Sequence, residues 1–103
     1  MINMTVIAEI TTYPLDKGSS LSSYVKEAVK VLDESGFTYH IGPMATSVEA
    51  DTVEELFLLF AKMHNAIADA GCQRISTAIR IDDRRDKERT MMDKVAAVTP
   101  GKT

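Results

Sequence analysis

Carboxylates on two strand-like segments are the first candidates for chemistry in this sequence. Glu9 and Glu49 lie in segments where apolar and polar residues alternate, so both are expected on the same side of adjacent strands. Two carboxylates on a covered sheet face are costly unless each has a partner. Either they pair with Arg74 or Arg80, across strands or between subunits, or one of them hydrogen-bonds an amino-bearing heterocycle.

The two histidines do not form a metal-binding pattern. His40 and His64 have no cysteine or second histidine at ligand spacing, so no metal site is predicted. His64 falls within the apolar stripe of a predicted helix, where it either bonds a neighbour or lines a pocket between helix and sheet. The sequence has no glycine-rich phosphate loop and no nucleophile elbow, so no catalytic residue is predicted.

A charged segment follows the last predicted strand. Its basic residues are Arg80, Arg84, Arg85, Lys87 and Arg89. Four acidic residues alternate with them: Asp82, Asp83, Asp86 and Glu88. Because the charges nearly cancel, the segment is expected to be a self-neutralised, solvated turn rather than a phosphate site.

Composition argues against several classes of function. The length of 103 residues fits one domain, and the net charge of −3 argues against nucleic acid or an anionic membrane as partner. Cys72 is the single cysteine and cannot form an internal disulfide, so a reducing, cytoplasmic setting is expected. No signal peptide and no apolar run of membrane-spanning length are recognised.

The first half of the chain is predicted to form a strand, a helix and a hairpin. Alternation from Met4 to Thr12 indicates a strand that Pro14 ends, because proline cannot donate to a ladder. One of the serines between 19 and 23 is expected to cap the helix, and Gly36 is expected to end it. A Gly-Pro pair at 42–43 then forces a reversal between two strands.

The second half repeats the helix and the strand. Thr52 and Glu55 have capping-box form at the start of a helix that runs to about Ala70, and Leu58 is expected on its solvent side. The predicted core stripe of this helix consists of Val53, Leu56, Phe57, Phe60, Met63, Ile67 and Ala68. A fourth strand is predicted from Arg74 to Ile81.

This order of elements predicts an α+β fold, a ferredoxin-like βαββαβ sandwich. The antiparallel sheet carries two helices on one face, with a short C-terminal helix after the last strand. A single domain is expected over residues 1–103, with its core at 4–83, the C-terminal helix at about 87–98 and a tail at 99–103. The helices should leave the other sheet face open, which suits either a ligand or another subunit.

Short motifs in a fixed order carry a family resemblance over nearly the whole chain. They are Pro14-Leu15, Ser22-Ser23-Tyr24-Val25, Ser35-Gly36-Phe37-Thr38-Tyr39, Pro43-Met44-Ala45-Thr46-Ser47-Val48-Glu49, His64, Gly71-Cys72-Gln73-Arg74 and the segment 79–87. Together they resemble the small thiamine-binding-protein family of the YkoF-like superfamily, formerly a domain of unknown function. The resemblance implies a ferredoxin-like fold, assembly into dimers or tetramers, and binding of thiamine or its hydroxymethylpyrimidine portion.

Such a ligand matches the residue types on offer. An aminopyrimidine presents an amino donor and ring-nitrogen acceptors, and a thiazolium is a cation that aromatic rings and carboxylates attract. The candidate ligand-binding residues are Glu49, Thr46, Ser22, Tyr13, Tyr39 and His64. In a regular strand Thr46 and Glu49 point to opposite faces, so a bulge or a subunit boundary would be needed to unite them.

The predicted function is therefore non-enzymatic binding of thiamine or its hydroxymethylpyrimidine moiety, as carrier or sensor. No cofactor is required, and the expected partners are further copies of the chain, as a homodimer or homotetramer, without nucleic acid or membrane. Two alternatives stay open: an oligomeric regulatory or assembly protein with no small ligand, and a small hydrolase-like enzyme.

Overall fold

The elements follow one another in the order that the hydrophobic pattern predicts. The computed structural model describes residues 5–101, so Met4 and the end of the predicted tail lie outside the described residues. The elements are β1 (Val6–Pro14), α1 (Ser22–Asp33), β2 (Thr38–Ile41), β3 (Thr46–Ala50), α2 (Val53–Asp69), β4 (Ile75–Asp83) and α3 (Met91–Val98). Four antiparallel strands form one sheet in the order β2-β3-β1-β4. The predicted α+β, ferredoxin-like fold is confirmed.

The two central strands differ in length, and this difference shapes the molecule. β1 has nine residues and β3 has five. The β1–β3 ladder runs from Val6 opposite Ala50 to Ile10 opposite Thr46 and ends there. On its other side β1 pairs with β4 along its whole length, as far as Pro14 opposite Ile75. The last residues of β1 therefore have a strand neighbour on one side only.

One sheet face and two helices, α1 and α2, enclose the hydrophobic core. Every second residue of β1 from Val6 onwards is buried, as strand alternation requires. From α2 the buried residues are Leu56, Leu59, Phe60, Met63 and Ile67, which follow the helical period. Leu58 is exposed as predicted, but the placement of Phe57 in the core is wrong: half of this residue is exposed, because it lies at the flank of the buried stripe.

The helix ends agree with the sequence only in part. The predicted serine cap is wrong: Leu21 is the N-cap of α1 and makes no side-chain cap bond, while Ser22 and Ser23 are exposed within the first helical turn. Thr52 does cap α2, because its Oγ1 accepts from the Glu55 amide at 3.1 Å. The Glu55 carboxylate accepts from the Thr52 hydroxyl instead of reaching the Thr52 amide, so the capping box is incomplete.

β1 ends at Pro14, as the sequence predicts, but the proline does not interrupt the pairing with β4. The Leu15 amide donates to the Arg74 carbonyl at 2.7 Å, so the backbone groups of Leu15 face β4. Successive residues of a strand point their backbone groups to opposite sides, so those of Pro14 face the side where β3 has already ended. The missing N–H of proline costs no ladder bond in that position.

The hairpin between β2 and β3 closes tightly, as the Gly-Pro pair predicts. The Gly42 amide donates to the Ala45 carbonyl at 2.9 Å. A Cβ atom on Gly42 would lie 2.7 Å from the Ala45 oxygen, closer than real contacts allow. Only glycine fits this turn without a shift of the backbone.

The C-terminal helix lies against the sheet face that α1 and α2 leave open. It begins at Met91 rather than at about residue 87, because Thr90 and Asp93 form a complete capping box there. Glu49 accepts a hydrogen bond from the Met91 amide at 2.7 Å, and Lys94 pairs with Asp82. Part of the second face is therefore covered. Within residues 5–101, no helix is long and apolar enough to cross a membrane.

Candidate functional site

A cleft opens beside β1 at the point where β3 ends. Its volume is about 190 Å³, and α1, the β2–β3 hairpin and the unpaired edge of β1 form its walls. The apolar lining residues are Ile10, Val25, Ala28, Val29, Ile41, Pro43, Met44, Ala45 and Met63. Apolar walls with few polar groups are typical of small-molecule sites.

Thr12 contributes polar backbone groups to this cleft. Because Leu15 bonds β4, the alternation of the strand turns the N–H and C=O of Thr12 away from β4, toward the cleft. The β3 ladder stops at Ile10, so Thr12 has no strand partner on that side. Among residues 5–101, no turn, loop or cap bond involves the Thr12 N–H or C=O, and the β1–β3 ladder does not reach Thr12. A donor and an acceptor thus lie side by side at the wall of an apolar cleft.

A chain of side-chain hydrogen bonds runs from Thr12 into α2. The Thr12 hydroxyl lies 2.6 Å from the Thr77 hydroxyl, and Thr77 Oγ1 lies 2.7 Å from His64 Nδ1. His64 therefore bonds a neighbour at the boundary of the core, one of the two roles that its position in the apolar stripe predicts. These bonds fix the Thr12 side chain and hold β1 in place behind the cleft.

Two of the sequence-predicted site residues border the cleft. Thr46 lies opposite Ile10 on the helix-covered face and is half-buried at the cleft wall. Tyr13 borders the cleft from the open edge of β1 and is partly exposed. Thr46 thereby brings a hydroxyl to the cleft, and Tyr13 lies at its border.

Ser22 and Tyr39 lie outside the cleft. Ser22 is exposed at the first residue of α1. The Tyr39 hydroxyl donates to Asp33 Oδ1 at 2.7 Å, and this hydrogen bond raises the pKa of the Tyr39 phenol. Tyr39 thus ties β2 to the end of α1 and does not line the cleft.

Glu49 lies on the opposite sheet face, as strand parity predicts for a regular β3. It stands opposite Ile7 of β1 and opposite Thr38 of β2. Its carboxylate accepts from the Met91 amide at the first turn of α3, a favourable place for a negative charge. Glu9, on the same face, pairs with Arg80 of β4 at 3.6 Å, which confirms one of the two predicted arginine partners.

Replacing Glu49 with alanine should loosen α3, because the carboxylate is bonded to the first amide of that helix. We expect faster hydrogen exchange at the α3 amides, corresponding to a loss of about 1 kcal/mol of local stability. Glu49→Gln keeps a neutral acceptor and should show a smaller effect. Unchanged exchange in Glu49→Ala would show that this bond does not hold the helix.

Two arginines of the charged segment form ion pairs with acidic residues of the same segment. Arg84 bonds Asp86 at 2.7 Å, and Arg85 bonds Asp83 at 2.8 Å. This confirms the prediction of internal pairing for those residues. Within residues 5–101, no group of three or more His, Cys, Asp or Glu residues could hold a metal ion.

Sequence reasoning missed the central feature of the cleft, the unpaired backbone of Thr12. The signal is present in the sequence only indirectly, as a long first strand facing a short third strand. Val25, Ala28 and Val29 of α1 line the cleft, but an apolar helical stripe does not distinguish core residues from the wall of a cleft.

Comparison with known proteins agrees with the fold. The sequence profile of the family described as thiamine-binding protein matches residues 8–99. A UPF0045 protein of Methanothermobacter thermautotrophicus is 43% identical over 94 residues, which is 90% of this chain and 95% of the relative. Both matches extend over nearly the whole domain.

Solved structures have the same architecture. A domain of unknown function, DUF77, from Bacillus cereus superposes with a TM-score of 0.84 at 26% identity, over 97% of this chain and 95% of that one. A Thermotoga maritima protein, described provisionally as a thiamine biosynthesis or salvage protein, superposes with a TM-score of 0.78 at 21% identity, over 92% and 99%. At that identity the second likeness concerns the fold alone. The profile match and the relative together show that the chain belongs to the thiamine-binding protein family.

Proposed function

We propose that this protein binds thiamine through its hydroxymethylpyrimidine half, in the cleft between α1 and the β2–β3 hairpin, as a carrier or sensor and without chemistry on the ligand. The observation that carries the proposal is the unpaired backbone of Thr12 at the wall of an apolar cleft. Membership of the thiamine-binding protein family supports the choice of ligand.

The polar groups of the cleft complement an aminopyrimidine. The ligand's amino group is a donor and its ring nitrogens are acceptors. The C=O and N–H of Thr12 offer the opposite pair, and the Thr46 hydroxyl adds a group that can donate or accept. A ligand that pairs with both Thr12 backbone groups in this apolar setting gains affinity from two hydrogen bonds.

The size of the cleft favours the pyrimidine half over the whole vitamin. Drug-sized ligands occupy pockets of roughly 300–1,000 Å³, whereas this cleft measures about 190 Å³. Among residues 5–101, no carboxylate lines the cleft, so the described walls hold no counter-ion for the thiazolium. We infer that the thiazolium half lies near the mouth, where Tyr13 offers an aromatic ring.

Isothermal titration calorimetry with hydroxymethylpyrimidine, thiamine and free thiazole alcohol tests the proposal. We expect saturable binding of the first two ligands and none of the thiazole fragment. Chromatography of the incubated ligands should recover them unchanged, and turnover would favour an enzyme. Binding of thiazole alone, or of no ligand, would contradict the proposal.

Thr46→Val removes one hydroxyl from the cleft wall and keeps the shape of the side chain. We expect the affinity for hydroxymethylpyrimidine to fall by a factor of about 2–10, the range for one neutral hydrogen bond. Thr38→Val is the matched control, because Thr38 lies on β2 outside the cleft and on the other sheet face. Equal effects of the two substitutions would remove Thr46 from the site.

We further propose that the protein assembles with copies of itself, as a dimer or a tetramer built from dimers. Phe57 and Leu58 are exposed side by side on α2, and the edge strands β2 and β4 each have one unpaired side within residues 5–101. Light scattering at micromolar concentration should report two or four subunits. A monomer at that concentration would contradict this expectation.

A further inference from the structure

A second cavity lies beneath α3, on the sheet face opposite the cleft beside β1. Its volume is about 280 Å³. It is lined by Thr5, Ile7, Asp82, Arg84, Arg89, Lys94, Ala97 and Val98. Three of these residues are cations and one is an acid, so the lining carries an excess of positive charge.

Of the three cations that line this cavity, Arg89 is the one without a carboxylate partner among residues 5–101. Lys94 is paired with Asp82, and Arg84 is bonded by Asp86 through Nε at 2.7 Å and a terminal nitrogen at 3.1 Å. Arg89 has no ion pair or hydrogen bond with any residue between 5 and 101, and its Nε is buried without a partner.

Asp82 and Asp93, whose carboxyl pKa values Arg89 helps to lower, are engaged with other residues, and so is Glu49 beside α3. Asp93 accepts from the Thr90 amide at 3.0 Å and completes the capping box of α3. Glu49 is bonded to the Met91 amide. The Lys94 hydrogen bond holds the pKa of the Asp82 carboxyl below its ordinary value, and Arg84 and Arg89 act in the same direction. The cavity therefore gathers several cations around a single carboxylate.

A buried guanidinium N–H without an acceptor is unfavourable, and native proteins rarely leave one so. Water can solvate an exposed arginine, but the Arg89 Nε is closed off from solvent. The guanidinium group presents its donors in a planar fork, which matches the oxygen atoms of phosphate. A phosphate in this cavity would offset the excess positive charge of its lining and stabilise the partly buried guanidinium group.

We propose that the cavity beneath α3 binds a phosphate-class anion, with Arg89 as its main ligand and Arg84 and Lys94 beside it. The anion is either free inorganic phosphate or the phosphate of a small monoester whose apolar part contacts Ile7, Ala97 and Val98. The site is independent of the proposed function, because it shares no lining residue with the cleft.

Titration of the full chain with inorganic phosphate at low ionic strength, followed by amide chemical shifts, tests this proposal. We expect saturable shifts at residues lining the cavity, and none with chloride at the same ionic strength. Arg89→Gln should weaken binding about tenfold or more, as expected for the loss of a charged hydrogen bond. Arg85→Gln is the matched control and should leave binding unchanged, since Arg85 pairs with Asp83 outside the cavity.

A second titration with glycerol phosphate distinguishes the two sources of the anion. Tighter binding of the monoester than of inorganic phosphate would identify an esterified ligand, and the reverse would identify the free ion. If Arg89→Gln does not fold, Arg84→Gln serves as the second variant and should also weaken phosphate binding. Absence of saturable shifts in the wild type, or equal weakening by Arg85→Gln, would overturn the proposal.

Discussion

Replacing Phe60 with alanine is expected to lower the free energy of unfolding by about 3–5 kcal/mol. Phe60 is only 1% exposed and lies among the largest buried side chains of the core. Alanine would leave a cavity that the sheet and α1 cannot fill. Domains of this kind have a total stability of about 5–15 kcal/mol, so the variant should be marginal. Chemical denaturation, read from the midpoint and slope of the unfolding curve, measures the loss.

Phe57→Ala provides a matched control for this prediction. The same residue type is removed from the same helix, but Phe57 is 52% exposed. We expect a loss of no more than about 1 kcal/mol in the isolated chain. Similar losses for the two variants would mean that the core stripe of α2 is placed incorrectly. If Phe57 is covered in an oligomer, its substitution should change the subunit number instead.

Replacing Val29 with tryptophan is expected to lower the affinity for hydroxymethylpyrimidine by more than about 100-fold. Val29 is a half-buried residue of α1 at the cleft wall. The indole ring of tryptophan at this position would fill the space that the proposed ligand occupies. The free energy of unfolding should change little, because the cleft is open to solvent and can accept the ring. Calorimetry measures the affinity, and denaturation checks the fold.

Lys26→Trp is the control for this substitution. Lys26 is exposed on α1 and does not line the cleft, so the same ring placed there should leave binding unchanged. Retained affinity in Val29→Trp, with an unchanged fold, would exclude the cleft as the binding site.

The sequence predicts those features of the fold that depend on local periodicity. Strand alternation correctly places Thr46 and Glu49 on opposite sheet faces, and the Gly-Pro pair correctly predicts the hairpin. Thr52 is correctly identified as a helix cap because its position directly precedes an apolar stripe. Each of these inferences uses neighbours within a few residues.

Features that depend on tertiary packing were not predictable in the same way. Phe57 and Leu59 both fit a broad apolar stripe, and only the position of α2 over the sheet decides that Leu59 is buried. The site of α3 depends on contacts with Glu49 and Asp82, which are distant in sequence from the helix. The cleft depends on where the β1–β3 ladder stops, a property of two strands together.

For the same reasons, the sequence predicts the candidate site only in part. Thr46 and Tyr13 carry suitable groups and do border the cleft. Glu49 has a suitable carboxylate, but α3 engages it on the other face. The Thr12 backbone has no signature of residue type at all, because any residue at this position would present the same N–H and C=O.

The most direct test of the central claim is a titration of the isotopically labelled wild-type chain with hydroxymethylpyrimidine, followed by amide chemical shifts. The amide of Thr12 faces the cleft and should move furthest, because the proposed ligand accepts its proton. We predict that the remaining large shifts map to α1 and to the hairpin around Gly42. Saturable shifts confined to α3 and the opposite sheet face, with Thr12 unmoved, would contradict the account.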